Sequence, residues 1–461
     1  MLQDNIAGLK SLFETGMTTE LREHENRIRR VVITDGDVQD NVRTNTAGVS
    51  ARVGKNGIYG FSSMADTSSE AGKAVLKAAT DNAVFMDKHI NKERILPAEI
   101  PTGKEALRNP IVDTEQKQIV EFAKELDSYM AKKCPELKSH SIVLREQSRE
   151  KILYTSDGYD AHTAIPRSSI YVRMTVLTPD GKPVELMDSW SELANYIDMF
   201  KDPKDFYKII DDTYTAVMRK REGVYAEAGL KMVILGGEMA GMLAHEAVGH
   251  TVEADLVRGG SVAGPNLGKQ VASPLISLTD YAYEAFGKPV PLPVYIDEEG
   301  TKCKDCEIIK DGILVGFMNN RETAKQYNQE PCGNARAYGF SDEPLIRMRN
   351  TLIHPGKDKL EDMIASIDDG YYLVQSGNGQ ADYTGEFIFG VNEGYEIKNG
   401  KITRPILDTT VSGIAFEMLK TVDMVSDNIT WSPSGTCGKK QPMPVSDGGP
   451  EIRCKITIGG R

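Results

Sequence analysis

The sequence predicts an α+β protein: amino-terminal helix-and-sheet units, then a largely β carboxyl-terminal domain that carries a metal-binding helix. Three observations lead there. Hairpin dipeptides recur along the chain, a few stretches repeat apolar residues at helical spacing, and the texture turns glycine-rich and strand-like beyond Leu230. At 461 residues the chain exceeds one ordinary core. The predicted units are residues 1–100, 111–225 and 228–461.

The opening MLQDNIAGLKSLFETG spaces Leu2, Ile6, Leu9 and Phe13 for an amphipathic helix. Strands follow in VVITDGDV and NTAGVSARVGKNGIYGFSSM, where Asp35-Gly36 and Asn56-Gly57 are hairpin turns. Thr67, with Glu70 three residues on, has the form of a capping box. It opens a helix with Ala71, Val75, Ala78, Ala79 and Ala83 along one side. Residues 95–110 hold three prolines without periodicity and read as a linker.

The second unit begins at Asp113 with a helix whose Ile119, Phe122, Ala123, Leu126 and Met130 share a face. HSIVLREQ, KILYTSDG, SSIYVRMTVLT and PVELMDSW read as strands, and residues 202–221 as a closing helix. Beyond it, KMVIL is a short strand and Gly236-Gly237 a turn into the next helix. Glu299-Gly300, Asp311-Gly312 and Asn399-Gly400 mark later hairpins.

Bulk charge narrows the function. A net charge of −12, with no run of Lys or Arg, disfavours a partner held by phosphate contacts. No stretch approaches the roughly 18 apolar residues that cross a bilayer, and the start lacks a signal peptide's apolar region. Six cysteines are too sparse for a disulfide scaffold, so the expected location is cytoplasmic.

The stretch LAHEAVGHTVEADL, residues 243–256, carries the chemistry. It resembles the helical zinc signature H-E-x-x-H with one residue added, because His245-Glu246 is followed by His250. On a regular α-helix, positions five apart lie about 140° apart and cannot share one ion. The backbone must therefore be irregular between them, either through Gly249 or through a π-bulge that absorbs the extra residue. Regular helix is expected up to about Ala247 and irregularity by Gly249. Catalytic zinc takes three protein ligands and keeps a position open for water. Local sequence leaves the third ligand open among Glu253, Asp255 and the carboxyl-half cysteines. Cys303-x-x-Cys306 and Cys454 read as packed thiols, whereas Cys437 lies in the glycine-flanked segment SPSGTCGKK.

Several blocks in one order resemble the TldD/PmbA family of metalloproteases, also called modulators of DNA gyrase. They are GVSARVGKNGIYGFSS, HEAVGHTVEADL, DEEGTKCKDCEIIKDGILVGFMNNRETA, GNARAYGFSDEPLIRMRNTLI, GQADYTGEFIFGVNEGYEIKNGKITRPI and SGTCGK. H-E-x-x-x-H is the mark of the TldD branch. The resemblance implies one zinc ion held by His245, His250 and Cys437, with Glu246 as the catalytic carboxylate. It implies hydrolysis of unfolded peptides with little sequence preference. It also implies a cavity shared by two subunits, in a homodimer or with a PmbA/TldE-like partner.

In the chemistry expected of such a site, Glu246 takes a proton from the attacking water and passes it to the leaving amine. Glu253 and Asp255 are the nearest acids able to orient ligand histidines. Asn334 and Arg336, in GNARAYGF, are candidate contacts for peptide backbone or a terminal carboxylate. Low selectivity fits a peptide held as an added β-strand, gripped by its backbone. The competing readings are a non-catalytic peptide- or protein-binding modulator, a zinc hydrolase of a small amide, and a structural zinc site.

Overall fold

A computed structural model describes residues 2–91 and 93–459. β1 (Thr18–Thr34), β2 (Asp37–Lys55) and β3 (Ile58–Met64) form an antiparallel meander. Its two tight turns fall on the predicted dipeptides. Asp35 and Gly36 have φ of 51° and 88°, and Asn56 and Gly57 have 51° and 76°, the doubly left-handed pair that matches strand twist. α1 (Ser69–His89) buries Ala71, Val75, Leu76, Ala79 and Ala83 against this sheet. Its cap is Ser68 rather than Thr67, because the Ser68 hydroxyl accepts from the Ala71 amide at 3.2 Å. The predicted first helix is only a 3-10 turn, Ala7–Leu12, although Ile6 and Leu9 are buried in the α1 cluster as their spacing requires.

The predicted linker contains a strand, β4 (Gly103–Arg108), lying parallel to the later β6. Its residues alternate between half-buried and exposed, an edge pattern too short to register against three neighbouring prolines. α2 (Gln116–Lys133) follows, then β5 (Ser139–Thr155), β6 (Tyr159–Leu177) and β7 (Pro183–Glu192). HSIVLREQ and KILYTSDG are one long strand, β5, and it pairs along β1. The first two predicted units therefore share a single seven-stranded sheet, ordered β3-β2-β1-β5-β6-β4 with β7 on the remaining length of β6. α2 and the helix Tyr207–Lys220 contribute Ile119, Leu126, Ile210 and Val217 to the core over its second half.

Part of this sheet meets the carboxyl-terminal domain through buried charge. Arg52 bonds Glu299 at 2.8 Å, Lys151 bonds Glu298 at 3.0 Å, and Arg22 donates to the Asp342 carbonyl at 2.8 Å. The carboxyl-terminal domain is built on two large sheets. In one, β8 (Gly229–Leu235) lies between the strands Asp369–Ala381 and Ile452–Ile458. The path continues through Thr409–Ile414 to Glu386–Lys398, which pairs back onto Asp369–Ala381. Five strands thus close on themselves as a small barrel. The other sheet runs from Cys306–Lys310 through β9 (Leu278–Tyr281), Asn350–Ile353 and Met443–Gly449 to its edge strand Thr430–Cys437.

The segment after β8 packs between these sheets. Helix Gly237–Met242 touches both Asp369–Ala381 and Met443–Gly449. Its glycines permit the approach: a Cβ on Gly241 would stand 2.6 Å from both Asp447 Oδ1 and the Gly448 backbone nitrogen. Among the described residues no helix is long and apolar enough to cross a membrane.

Candidate metal centre

The extra residue of H-E-x-x-x-H is absorbed by a π-helix. It spans Leu243–Gly249, and the His250 amide bonds the His245 carbonyl, an i→i+5 contact that places the two histidines one turn apart. Irregularity thus begins at Leu243, earlier than Ala247–Gly249. Gly249 is not the kink: its φ of −52° and ψ of −51° are helical. Glycine there makes room for a buried neighbour, since a Cβ would fall 2.2 Å from Met348 Sδ. A 3-10 turn over His250–Val252 then leads to Glu253 in extended conformation.

His245, His250 and Cys437 converge, with one ligand atom from each lying within 4.8 Å of the others. Cys437 Sγ is 3.4 Å from His250 Nε2, and the imidazole rings stand 5.4 Å apart at 85°. Two ligands on a tetrahedral zinc at about 2.1 and 2.3 Å lie about 3.5 Å apart, so this spacing suits the ion. A second observation tests the fit. Both nitrogens of His245 are buried and have no hydrogen-bond partner among the described residues. A buried imidazole without partners is costly unless something else occupies its lone pair. Two imidazoles and one thiolate are a donor set that zinc takes, and three protein ligands leave a position open.

Electrostatics ties the three together. Burial works against the Cys437 thiolate, yet His245 and His250 hold its pKa down to about 3. For His250 burial is outweighed by Cys437 and Glu253, which push it up to about 10. The Glu246 carboxylate lies beside the cluster, 4.0 Å from His245 Nε2 and 3.7 Å from His250 Nε2. The Glu253 carboxylate binds His250 Nδ1 at 2.8 Å, which turns Nε2 toward the cluster. Asp255 does not reach a histidine; it pairs with Lys439 at 2.7 Å, and Lys439 in turn lies 3.4 Å from Glu253.

Arg347, fully buried, fixes the segment that delivers the thiol. It donates to the carbonyls of Cys437 at 2.7 Å, Lys439 at 2.9 Å and Gln441 at 2.8 Å. Sequence reasoning missed this residue, and also Asp447. The latter is buried, and burial chiefly, with Glu246 adding, pushes its pKa to about 6 against the pull of His245. A lone acid in the fully buried strand Met443–Gly449, followed by two glycines, was the available signal.

The structure corrects the reading of Asn334 and Arg336 as peptide contacts. Both are buried, and their donors are spent on the protein. Asn334 Nδ2 bonds Asp280 Oδ2 at 2.7 Å and the Arg347 carbonyl at 3.1 Å. Arg336 donates to the Met348 carbonyl and, at 3.0 Å, to that of Pro444. Cys303, Cys306 and Cys454 are buried away from the cluster, and burial helps push all three thiols up, Cys303 to about 12.

A closed small barrel lies beside a sheet that delivers a thiol to a π-helical histidine pair, an arrangement able to hold one metal ion. Comparison with known proteins agrees. Profiles of the PmbA/TldA metallopeptidase match the chain as domain 1 over residues 19–83, the central domain over 109–212 and the C-terminal domain over 229–460. The chain belongs to the TldD/PmbA metallopeptidase family. It is 32% identical to the zinc metalloprotease TldD homolog of Saccharolobus solfataricus, covering 83% of this chain and 84% of that one. A metalloprotease of Methanocaldococcus jannaschii is 30% identical over 98% and 99% of the two chains. Among solved structures, TldE from Thermococcus kodakarensis shares the fold with a TM-score of 0.75 at 18% identity, each chain 98% covered.

Proposed function

We propose that this protein is a zinc-dependent peptidase that hydrolyses unfolded peptides with low sequence preference. The observation that carries the reading is the convergence of His245, His250 and Cys437 beside the Glu246 carboxylate. His245, His250 and Cys437 would hold the ion, and zinc bound there would lower the pKa of its water to about 7 and polarise the scissile carbonyl. The chain's own groups do the rest. Glu246 accepts the proton of the attacking water and returns it to the leaving amine. Glu253 keeps the His250 tautomer whose Nε2 faces the cluster, and Lys439 holds Glu253 in place.

Low selectivity has a structural support. Thr430–Cys437 is the edge strand of its sheet and ends on the ligand cysteine, so an extended peptide added along it is gripped by backbone and led to the cluster. The TldE neighbour supports, as part of this proposal, a paired assembly: a homodimer or a heterodimer with a TldE-like partner.

The test is hydrolysis of an unstructured protein, short peptides and a small amide by the zinc-loaded chain, with and without chelator. The reading expects chelator-sensitive cleavage of the first two, and none by Glu246→Gln, which keeps its zinc. Cleavage of the amide alone would point to a small-amide hydrolase. Undiminished biological activity of Glu246→Gln would point to a non-catalytic modulator.

A further inference from the structure

A cleft of about 90 Å³ lies between the amino-terminal sheet and residues 292–298, walled by Arg149, Lys151, Arg167, Arg336, His24 and Glu298. That volume admits several waters or the end of one residue. Its charge is unlike that of the protein as a whole. Four cations face one carboxylate in a chain of net charge −12, and Glu298 is already engaged by Lys151 at 3.0 Å. Among the described residues Arg149, Arg167 and Arg336 have no carboxylate within ion-pair distance. Arg149 bonds backbone carbonyls, Arg167 the Ser191 hydroxyl, and Arg336 backbone carbonyls.

Unmade hydrogen bonds point the same way. Arg149 Nε, Arg167 Nη2 and His24 Nδ1 are buried without a partner among the described residues. His24 is almost wholly buried, with 2% of its surface exposed. Its Nε2 meets Asn26 Oδ1 at 3.1 Å, and Asn26 Nδ2 donates to the Tyr338 carbonyl at 2.8 Å, which fixes the amide. Nε2 is therefore the donor. Burial, reinforced by Arg22 and Arg149, keeps the ring neutral, and Nδ1 is left as an acceptor. Burial also lowers Arg336 to about 9 and Arg167 to about 10, as expected of guanidiniums lacking a counter-charge.

We propose that this cleft is an oxyanion site that takes the terminal carboxylate of a peptide. Arg149 and Arg167 supply donors for the carboxylate, Arg336 adds positive charge while its donors stay on backbone carbonyls, and His24 Nδ1 accepts the amide N–H beside it. A phosphomonoester dianion offers only acceptors and leaves His24 unpaired, whereas the amide N–H beside a terminal carboxylate pairs it. The position fits a substrate anchor. A smaller hollow shares Gln147, Arg167 and Pro444 with the cleft and reaches Thr436, the residue before Cys437. Thr436 and Cys437 face opposite sides of the edge strand, so a peptide anchored here passes around that edge to the cluster. The substrate role rests on the peptidase reading; the carboxylate site does not.

The test is calorimetric titration of the zinc-loaded full chain carrying Glu246→Gln with one short peptide, either free or amidated at its carboxyl end, and with inorganic phosphate. We expect the free peptide to bind about tenfold or more tightly over the amide, since charged hydrogen bonds are lost in the latter. The preference should collapse in Arg167→Gln and in Arg149→Gln, with unchanged melting temperature for the former. Equal binding of both peptides, a preference that survives both substitutions, or binding of phosphate alone would overturn the proposal. Binding needs no turnover, so a protein that shows the preference but cleaves nothing sinks the peptidase reading and leaves the site standing.

Discussion

The amino-terminal sheet and the carboxyl-terminal domain obey different rules. In the first, local chemistry writes the structure: Asp35-Gly36 and Asn56-Gly57 turn the chain, and strands of up to 19 residues pair in register on either side. In the second, close contact between distant segments does the work. Gly241 lies against Gly448, Gly249 against Met348, and a thiol 187 residues away meets His250. The His-His-Cys cluster belongs wholly to the second region, so its geometry is only as secure as that packing.

The sharpest way to break the contrast is to add one methyl group in each region. Gly241→Ala drives a Cβ into the buried Asp447 carboxylate and the Gly448 strand backbone. We expect a loss of about 3 kcal/mol, with weakened zinc binding, measured by denaturant unfolding and metal titration. Gly36→Ala, at φ 88°, strains only a turn. It should cost about 1–2 kcal/mol and leave zinc affinity and hydrolysis as they are. Equal loss of zinc in both would show that the two regions are not separable in this way.

A pH experiment sharpens the same comparison. Burial raises the Glu238 carboxyl from 4.5 to about 7, against a hydrogen bond from Ser376 and with Asp447 adding to the rise. The folded chain therefore holds a proton that the unfolded chain has lost between those values. Stability falls as pH rises through that window and is flat, for this group, above about 7. Glu238→Gln should remove the fall and stabilise the protein by about 1–2 kcal/mol at pH 8 but not at pH 4, as read from unfolding curves. The smallest effect is expected at Ser68→Ala, which deletes the α1 cap and costs about 1 kcal/mol with no change at the cluster.

How much was legible follows from the same division. Turn dipeptides and helical faces are local, and they located the meander, α1 and α2. Where two neighbouring residues competed for one role, as Thr67 and Ser68 did, the backbone entering the helix decided, and spacing could not. β4 was invisible because the strand it pairs with, β6, lies more than fifty residues on. At the site, the pattern His245-Glu246-x-x-x-His250 required a break in helical geometry. A π-helix satisfied it, while Gly249 proved to be a packing residue. No spacing rule connects those residues to Cys437; family resemblance singled it out, and the fold brings it within 3.4 Å of His250. Asn334 and Arg336 look like free polar groups in a glycine-rich loop, but the domain buries that loop and spends both on its own carbonyls and carboxylate.

The most direct test is the zinc content and zinc affinity of purified wild type, His245→Ala, His250→Ala and Cys437→Ser. We expect tight binding in the wild type, and in each variant a loss of at least tenfold in affinity, the serine variant included. Wild-type affinity in Cys437→Ser, with the fold intact, would contradict the convergence of helix and edge strand on a single ion.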